Sequence, residues 1–357
     1  MRRRGIAACA ITAGLLTATA GCGYAASHVT IGMREAAAHE AIPVAAEGDG
    51  GSLTASMSKS TSKSGAMHNS SRNPGGPIAF GSAMFGGNAA LIKDEPALGR
   101  NLAIVRAYYR IGDVFPSDAY AQHLAAGSTL LVSLDSNGTS YASIAAGNKD
   151  SAILSFLRAV NRVAYRYHVG SIYVSFEHEP DSPQHTALGS PAGFVRAWDH
   201  VHHLAASAHL DWNNGGRLHW TLILIHSSIG RSWGNRFWPG TAEVDVLAVD
   251  GYNSYPCRGS NQNRAATPAS LFNPTLSFAS SHGGLPVFVA EWGSTSAAPQ
   301  ARFIQQMHSY VTGHRQIKAA LYWDDGGSSC SYRVDGHSAA LSALRAMGHS
   351  AAMQGRV

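Results

Sequence analysis

The sequence predicts an α/β protein, a (β/α)8 barrel preceded by an export signal and a disordered tether. Three observations carry that expectation. From residue 76 onward, short apolar runs alternate with longer amphipathic ones, the pattern of βα units around a parallel sheet. Several of the short runs are apolar at nearly every position, as strands covered on both faces are. Eight of them can be counted over about 275 residues, the size of a closed barrel.

In chain order, residues 1–22 come first. Arg2, Arg3 and Arg4 precede the apolar stretch from Ile6 to Ala20, which is too short to span a membrane, and small residues follow. Ala18-Thr19-Ala20 fits an ordinary cleavage site. Thr19-Ala20-Gly21-Cys22 also fits a bacterial lipobox, with threonine where leucine is usual, and on that reading Cys22 is acylated. Residues 23–75 hold few large apolar side chains, and Gly50–Gly65 is nearly all small and polar. Such a segment cannot bury enough surface to offset chain entropy and is expected to be a flexible linker.

The barrel is assigned to residues 76–350, with 351–357 as a tail. Candidate strands are Ile78–Met84, Ala103–Tyr109, Thr129–Leu134, Ser171–Phe176, Trp220–Ile225, Val244–Val249, Val287–Ala290 and Ala319–Tyr322. The clearest helical stretches are Asp150–Tyr167, Pro191–Ala208 and Pro299–Gly313. In the first, Ile153, Phe156, Leu157, Val160 and Val163 recur at helical spacing as a core-facing stripe. Ser190-Pro191 supplies an N-cap and an N1 proline to the second. A doubly wound open sheet is the alternative. It would normally carry a glycine-rich phosphate loop after the first strand, and Gly81-Ser-Ala-Met-Phe-Gly86 does not fit one.

The formal charge of +5 is mostly in the leader: residues 1–75 carry seven Lys/Arg against four Asp/Glu. The remaining arginines are spread through helical stretches. A nucleic-acid partner, which needs a basic face, is not expected. Of the four cysteines, Cys9 leaves with the signal and Cys22 belongs to the processing site. Cys257 and Cys330 remain, and in an oxidising compartment they are expected to pair. Two buried free thiols are the alternative.

Two glutamates follow apolar runs where a barrel keeps its chemistry. Glu179 comes after Ile-Tyr-Val-Ser-Phe, and Glu291 after Val-Phe-Val-Ala, at the ends of the fourth and seventh candidate strands. A carboxylic acid and a carboxylate facing each other are what retaining glycoside hydrolysis requires. Glu177 complicates the first assignment, since strand alternation would point it to the same side as Glu179. The other reading of each glutamate is a buried ion pair with a barrel arginine such as Arg106.

Three segments resemble glycoside hydrolase family 26, the β-mannanase family of clan A: His178-Glu179, the run from Phe237 through Trp238-Pro-Gly to Gly251-Tyr-Asn253, and Pro286-Val-Phe-Val-Ala-Glu-Trp-Gly-Ser294. The resemblance spans the barrel and leaves the linker untouched. It implies Glu179 as general acid/base, Glu291 as nucleophile and β-1,4-mannan as the first-choice substrate, cut internally. Mixed-linkage β-glucan and β-1,3-xylan are the family's alternatives. Two positions depart from the family pattern, Asp181 where asparagine is common and Ser175 where arginine is. They leave open a second reading, a glycan-binding surface protein on a weakened barrel, and a third is an exopolysaccharide-trimming glycosidase.

Tyr252 is the expected hydrogen-bond donor to Glu291, and His178 is expected to orient Glu179 or touch the sugar. Trp323, Trp292 and Trp233 are candidate sugar platforms, with Trp238 beside them. Asp135, Asp250, Asp324 and Asp325 lie near strand ends and could bind hydroxyls. Asp199 and His203 form an i, i+4 pair without a metal-protease pattern, and a solvated polar face is the simpler account. The chemistry needs no metal and no organic cofactor. The expected partner is a polysaccharide, with membrane contact only through a lipid anchor, for a monomer at the cell surface or outside it.

Overall fold

The computed structural model describes residues 76–83, 95–118, 120–257, 260, 262–296, 298–325 and 330–357. The signal, Cys22 and the linker lie outside them. Eight parallel strands close on themselves in sequence order, so the expected barrel is present. They are β1 (Ala79–Ala83), β2 (Ile104–Arg110), β3 (Thr129–Asp135), β4 (Ile172–Phe176), β5 (Leu218–Ile225), β6 (Val246–Asn253), β7 (Val287–Ser294) and β8 (Ile317–Trp323). Each overlaps its candidate run. The largest differences are in β6 and β7, which continue four residues past their expected ends, paired from Asp250↔Glu291 to Asn253↔Ser294. Glu291 is therefore in the body of a strand, not at its end.

The named helices are α1 (Ala121–Ala125), α2 (Tyr141–Ala145), α3 (Asp150–Arg166), α4 (Pro191–Ser207), α5 (Pro268–Ser281), α6 (Gln300–Gly313) and α7 (Ser338–His349). The α3 stripe is buried as its spacing predicts. Ser190 caps α4, its hydroxyl accepting from Gly193 N at 3.1 Å. Two histidines of α4 pair with acids outside it along the outer shell: His200 with Asp150 at 2.7 Å and His202 with Glu243 at 2.5 Å.

Two apolar clusters hold the fold. The larger lies between sheet and helices and includes Phe156, Trp198, Trp220, Phe272 and Trp292. The smaller fills the barrel interior with Ala79, Ile104, Leu131, Tyr173, Ile223, Val246, Ala248, Phe288, Ala290, Ala319 and Leu321. Gly251 of β6 faces outward, where a Cβ would come within 2.8 Å of Phe272 Cε1; its absence lets α5 seat against the strand. Residues 351–357 do not form a separate tail. Ile78 N donates to Ala352 O at 2.7 Å, Gly355 N donates to Ile78 O at 3.0 Å, and Val357 packs on the interior cluster.

Candidate active site

Above the interior cluster the inward positions turn polar. On β2 the period of two runs Ile104, Arg106, Tyr108, and on β6 it runs Val246, Ala248, Asp250, Tyr252. Glu291 does not follow from that period. Phe288 and Ala290 both pack in the interior, so strict alternation would send Glu291 outward. The ladder to β6 slips instead: Val249 pairs with Val289, but Asp250 pairs with Glu291. Ala290 is the extra residue of a β-bulge, a device that re-aims side chains beside functional sites. It turns Glu291 into the barrel and Trp292 out of it. Trp292 is fully buried against Tyr322 and Phe303, with ring centroids at 4.9 and 6.4 Å. It belongs to the helix-facing layer, which corrects its assignment as a sugar platform.

The Glu291 carboxylate is nearly enclosed. The Tyr108 hydroxyl donates to Oε1 at 2.5 Å, and the Tyr252 hydroxyl donates to Oε2. Arg106 Nη2 lies 3.4 Å from Oε1 and 4.0 Å from Asp250 Oδ2, so the arginine pairing considered for the glutamates is present at Glu291. Burial, and then the Asp250 charge, raise the Glu291 pKa; His178, Arg106 and the Tyr108 hydroxyl oppose the rise. Both tyrosines are pushed well above their ordinary range, first by burial and then by Glu291, so they stay protonated and can only donate to it. Burial disfavours the Arg106 guanidinium, yet Tyr108, Glu291 and Asp250 together hold its pKa above the usual value.

Asp250 belongs to the same cluster. It is buried inside the barrel, with Oδ2 2.5 Å from His178 Nε2. Burial lifts its pKa to about 7, against Arg106. His178 is pulled down to about 3 by burial and by Arg106, with Glu291 opposing, so its imidazole is neutral at pH 7. The same Nε2 lies 3.6 Å from Glu291 Oε1.

The end of β4 is built differently. The strand stops at Phe176, and both Glu177 and Glu179 take left-handed backbone, with φ of 54° and 50°. For non-glycine residues that costs about 1–2 kcal/mol each. Alternation ceases there, so the two glutamates do not share a side as expected. Glu177 is fully buried, accepting from Ser136 N at 3.0 Å, with Oε1 3.5 Å from His185 Nε2. Burial, then the neighbouring Asp135, raise its pKa to about 8. Glu179 instead keeps company with His178 and Asp250: one carboxylate oxygen from each acid and one ring nitrogen lie within 4.8 Å of one another.

Asp181 locks the turn to β5. It is buried, accepts from Ile225 N at 3.0 Å and from the Ser228 hydroxyl, and burial raises its pKa to about 7. Trp233 donates from Nε1 to Asp181 O at 3.4 Å and packs on Phe237, so it braces this loop. Trp238 packs on Phe278 and His282 of the α5 region, away from the barrel axis. Trp323, at the inward end of β8, stands edge-on to Tyr108 at 6.3 Å and is the tryptophan beside the carboxylates. Asp324 accepts from Val334 N at 2.8 Å, tying Val334 to the end of β8. That loop is joined to the one after β6 by the Cys257–Cys330 disulfide, with Cα atoms 5.4 Å apart. Tyr332, two residues on, packs against Tyr252 at 5.0 Å.

The fold has counterparts among solved structures. A Cellulomonas fimi endo-β-1,4-mannanase double mutant superposes with a TM-score of 0.55 at 15% identity, over 78% of this chain and 74% of that one. A modular Cellulomonas fimi endo-β-1,4-mannanase, described with glycoside hydrolase family 26, matches at 0.55 and 15%, over 79% and 74%. A structure of fungal β-1,4-galactanases matches at 0.53 and 14%, over 77% and 100%. The chain has the fold these glycosidases share. No protein-family model and no curated protein sequence matches it. Within that fold, Arg106 and Asp250 had drawn attention in the sequence for other reasons, whereas Tyr108 had not. Its signal was the inward parity of β2 counted from Ile104.

Proposed function

We propose that the protein is a retaining glycoside hydrolase that cuts internal β-linkages in a polysaccharide, with β-1,4-mannan the first-choice substrate. The observation that carries this reading is the setting of Glu291: a carboxylate aimed inward by a bulge, bonded by two tyrosine hydroxyls and flanked by Arg106. Hydrogen bonds of this kind favour the ionised form against the burial that opposes it. Glu179, across the His178–Asp250 pair, is the general acid.

In the first step a Glu291 oxygen bonds to the anomeric carbon while Glu179 gives its proton to the departing glycosidic oxygen. In the second, Glu179 takes a proton from water, and the resulting hydroxide equivalent releases the sugar from Glu291. Both glutamates return to their starting states. Trp323 offers a ring face for a sugar beside them. The leader supports placing the enzyme at the cell surface through acylated Cys22. The mannanase and galactanase likenesses widen the set of substrates worth testing.

The test is hydrolysis of β-1,4-mannan, mixed-linkage β-glucan, β-1,3-xylan and β-1,4-galactan, with the first-formed anomer followed by proton NMR. The expected outcome is cleavage of mannan with the β-anomer appearing first. An initial α-anomer, or no cleavage of any of the four, contradicts the proposal.

A further inference from the structure

We propose that Asp135, Glu177 and His185 form a binding site for one divalent transition-metal cation of the zinc class, behind the β4 turn. The inference does not rest on the glycosidase reading.

One carboxylate oxygen of Asp135, one of Glu177 and one ring nitrogen of His185 lie within 4.8 Å of one another. The tautomer of His185 is fixed by its other side. Nδ1 lies 2.8 Å from the backbone oxygen of Glu179, which can only accept, so Nδ1 carries the proton. In the neutral ring, Nε2 then presents a bare lone pair to Glu177 Oε1, 3.5 Å away. An N–H to carbonyl bond on the far nitrogen is the usual orienting contact of a metal-ligating histidine. Tetrahedral zinc, with bonds of about 2.0–2.2 Å, sets neighbouring ligand atoms about 3.3–3.6 Å apart, which spans the Glu177–His185 separation.

A second observation points to a missing occupant. Glu177 is fully buried, and among the described residues its Oε1 takes no hydrogen bond from an N–H or hydroxyl donor; its neighbours are the His185 ring and the Asp135 carboxyl. The hydroxyl of Tyr141, also fully buried, has no hydrogen-bond partner among the described residues, and the charges that act on it are those of Glu177, Asp135 and Asp181. Two carboxylates and a ring lone pair thus meet at the buried Glu177, and the Tyr141 hydroxyl feels their charge. A mixed nitrogen and oxygen set favours a zinc-like ion over calcium or magnesium, which prefer oxygen alone. The cation would act as a brace. Through His185 it ties the backbone of Glu179 to β3, and it takes no part in bond breaking.

The test uses the full chain after chelation. Zinc, calcium and magnesium are titrated separately by calorimetry, with thermal unfolding measured in parallel. One equivalent of zinc should bind and raise the unfolding temperature. Asp135→Asn and His185→Ala should each weaken that binding by roughly 100-fold or more. Asp250→Asn, which alters the neighbouring His178–Glu179–Asp250 cluster, should leave it intact. Circular dichroism of each variant establishes that it is folded, and zinc-edge anomalous diffraction of the unaltered protein locates the ion without any variant. No zinc binding, a preference for calcium or magnesium, binding unchanged in both ligand variants, or an anomalous peak elsewhere would each overturn the proposal.

Discussion

The two glutamate-bearing strands solve the same problem in opposite ways. On β7 the carboxylate sits within a strand paired on both sides, and a one-residue bulge aims it. On β4 the strand has already ended, and Glu177 and Glu179 stand on left-handed backbone held by turn hydrogen bonds. A nucleophile must keep one position through two steps, and a continuous strand with two tyrosine donors suits that. A general acid must deliver and recover a proton at a shifting oxygen, and a turn outside the sheet gives it room. The contrast assigns rigidity to Glu291 and local strain to the residues around His178.

The largest test of that contrast separates the two β4 glutamates. Glu179→Gln should lower kcat/KM on polysaccharide by about 10²–10⁴-fold, the scale of a lost general acid. It should cost much less on aryl glycosides whose leaving group needs no proton. Glu177→Gln should show no such dependence on the leaving group. If the dependence appears at Glu177 instead, the two β4 residues have been assigned the wrong way round.

A smaller effect probes β7. Burial and Asp250 raise the Glu291 pKa above that of an ordinary glutamate, and the proposed mechanism uses its ionised form, so kcat/KM should rise with pH through that elevated value. Tyr108→Phe removes a donor that favours the ionised form. The acidic limb should therefore move to higher pH, with roughly a tenfold loss of activity along that limb and little change on the plateau above it. A limb that stays in place would mean the phenol does not act on Glu291.

The smallest effect concerns the lock between the β4 turn and β5. The Asp181 pKa is raised to about 7 by burial, so the folded protein binds its proton more tightly than the unfolded chain does. The stability this contributes is fully present below the unfolded value near 4 and is lost as pH rises through about 7. Thermal unfolding temperature should fall between pH 5 and pH 8. Asp181→Asn, which keeps the shape and carries no charge, should flatten the fall by on the order of 2 kcal/mol. An unchanged slope would mean that Asp181 ionises without cost.

These features were unequally legible in the sequence. The eight strands could be read because burial on both faces leaves an apolar run that composition alone reveals. Tyr252 followed from position, and the Cys257–Cys330 pair from elimination. The bulge at Ala290 could not be read: Val-Phe-Val-Ala-Glu-Trp fits either parity, and only the ladder to β6 shows which residue is extra. Trp292 needed no knowledge of the bulge: once Glu291 faces inward, alternation sends its neighbour to the helix side. The different surroundings of Glu177 and Glu179 were hidden, because alternation was extended two residues beyond the point where β4 leaves the sheet.

The central claim is that Glu291 forms a covalent bond to the sugar. Incubation with an activated 2-fluoro-β-mannoside, followed by peptide mass spectrometry, tests it directly. The account predicts a single glycosylated peptide labelled at Glu291, absent from Glu291→Ala and turned over slowly by the unaltered enzyme. A label on Glu177 or Glu179, or steady hydrolysis of mannan with no trapped sugar on any residue, would contradict it.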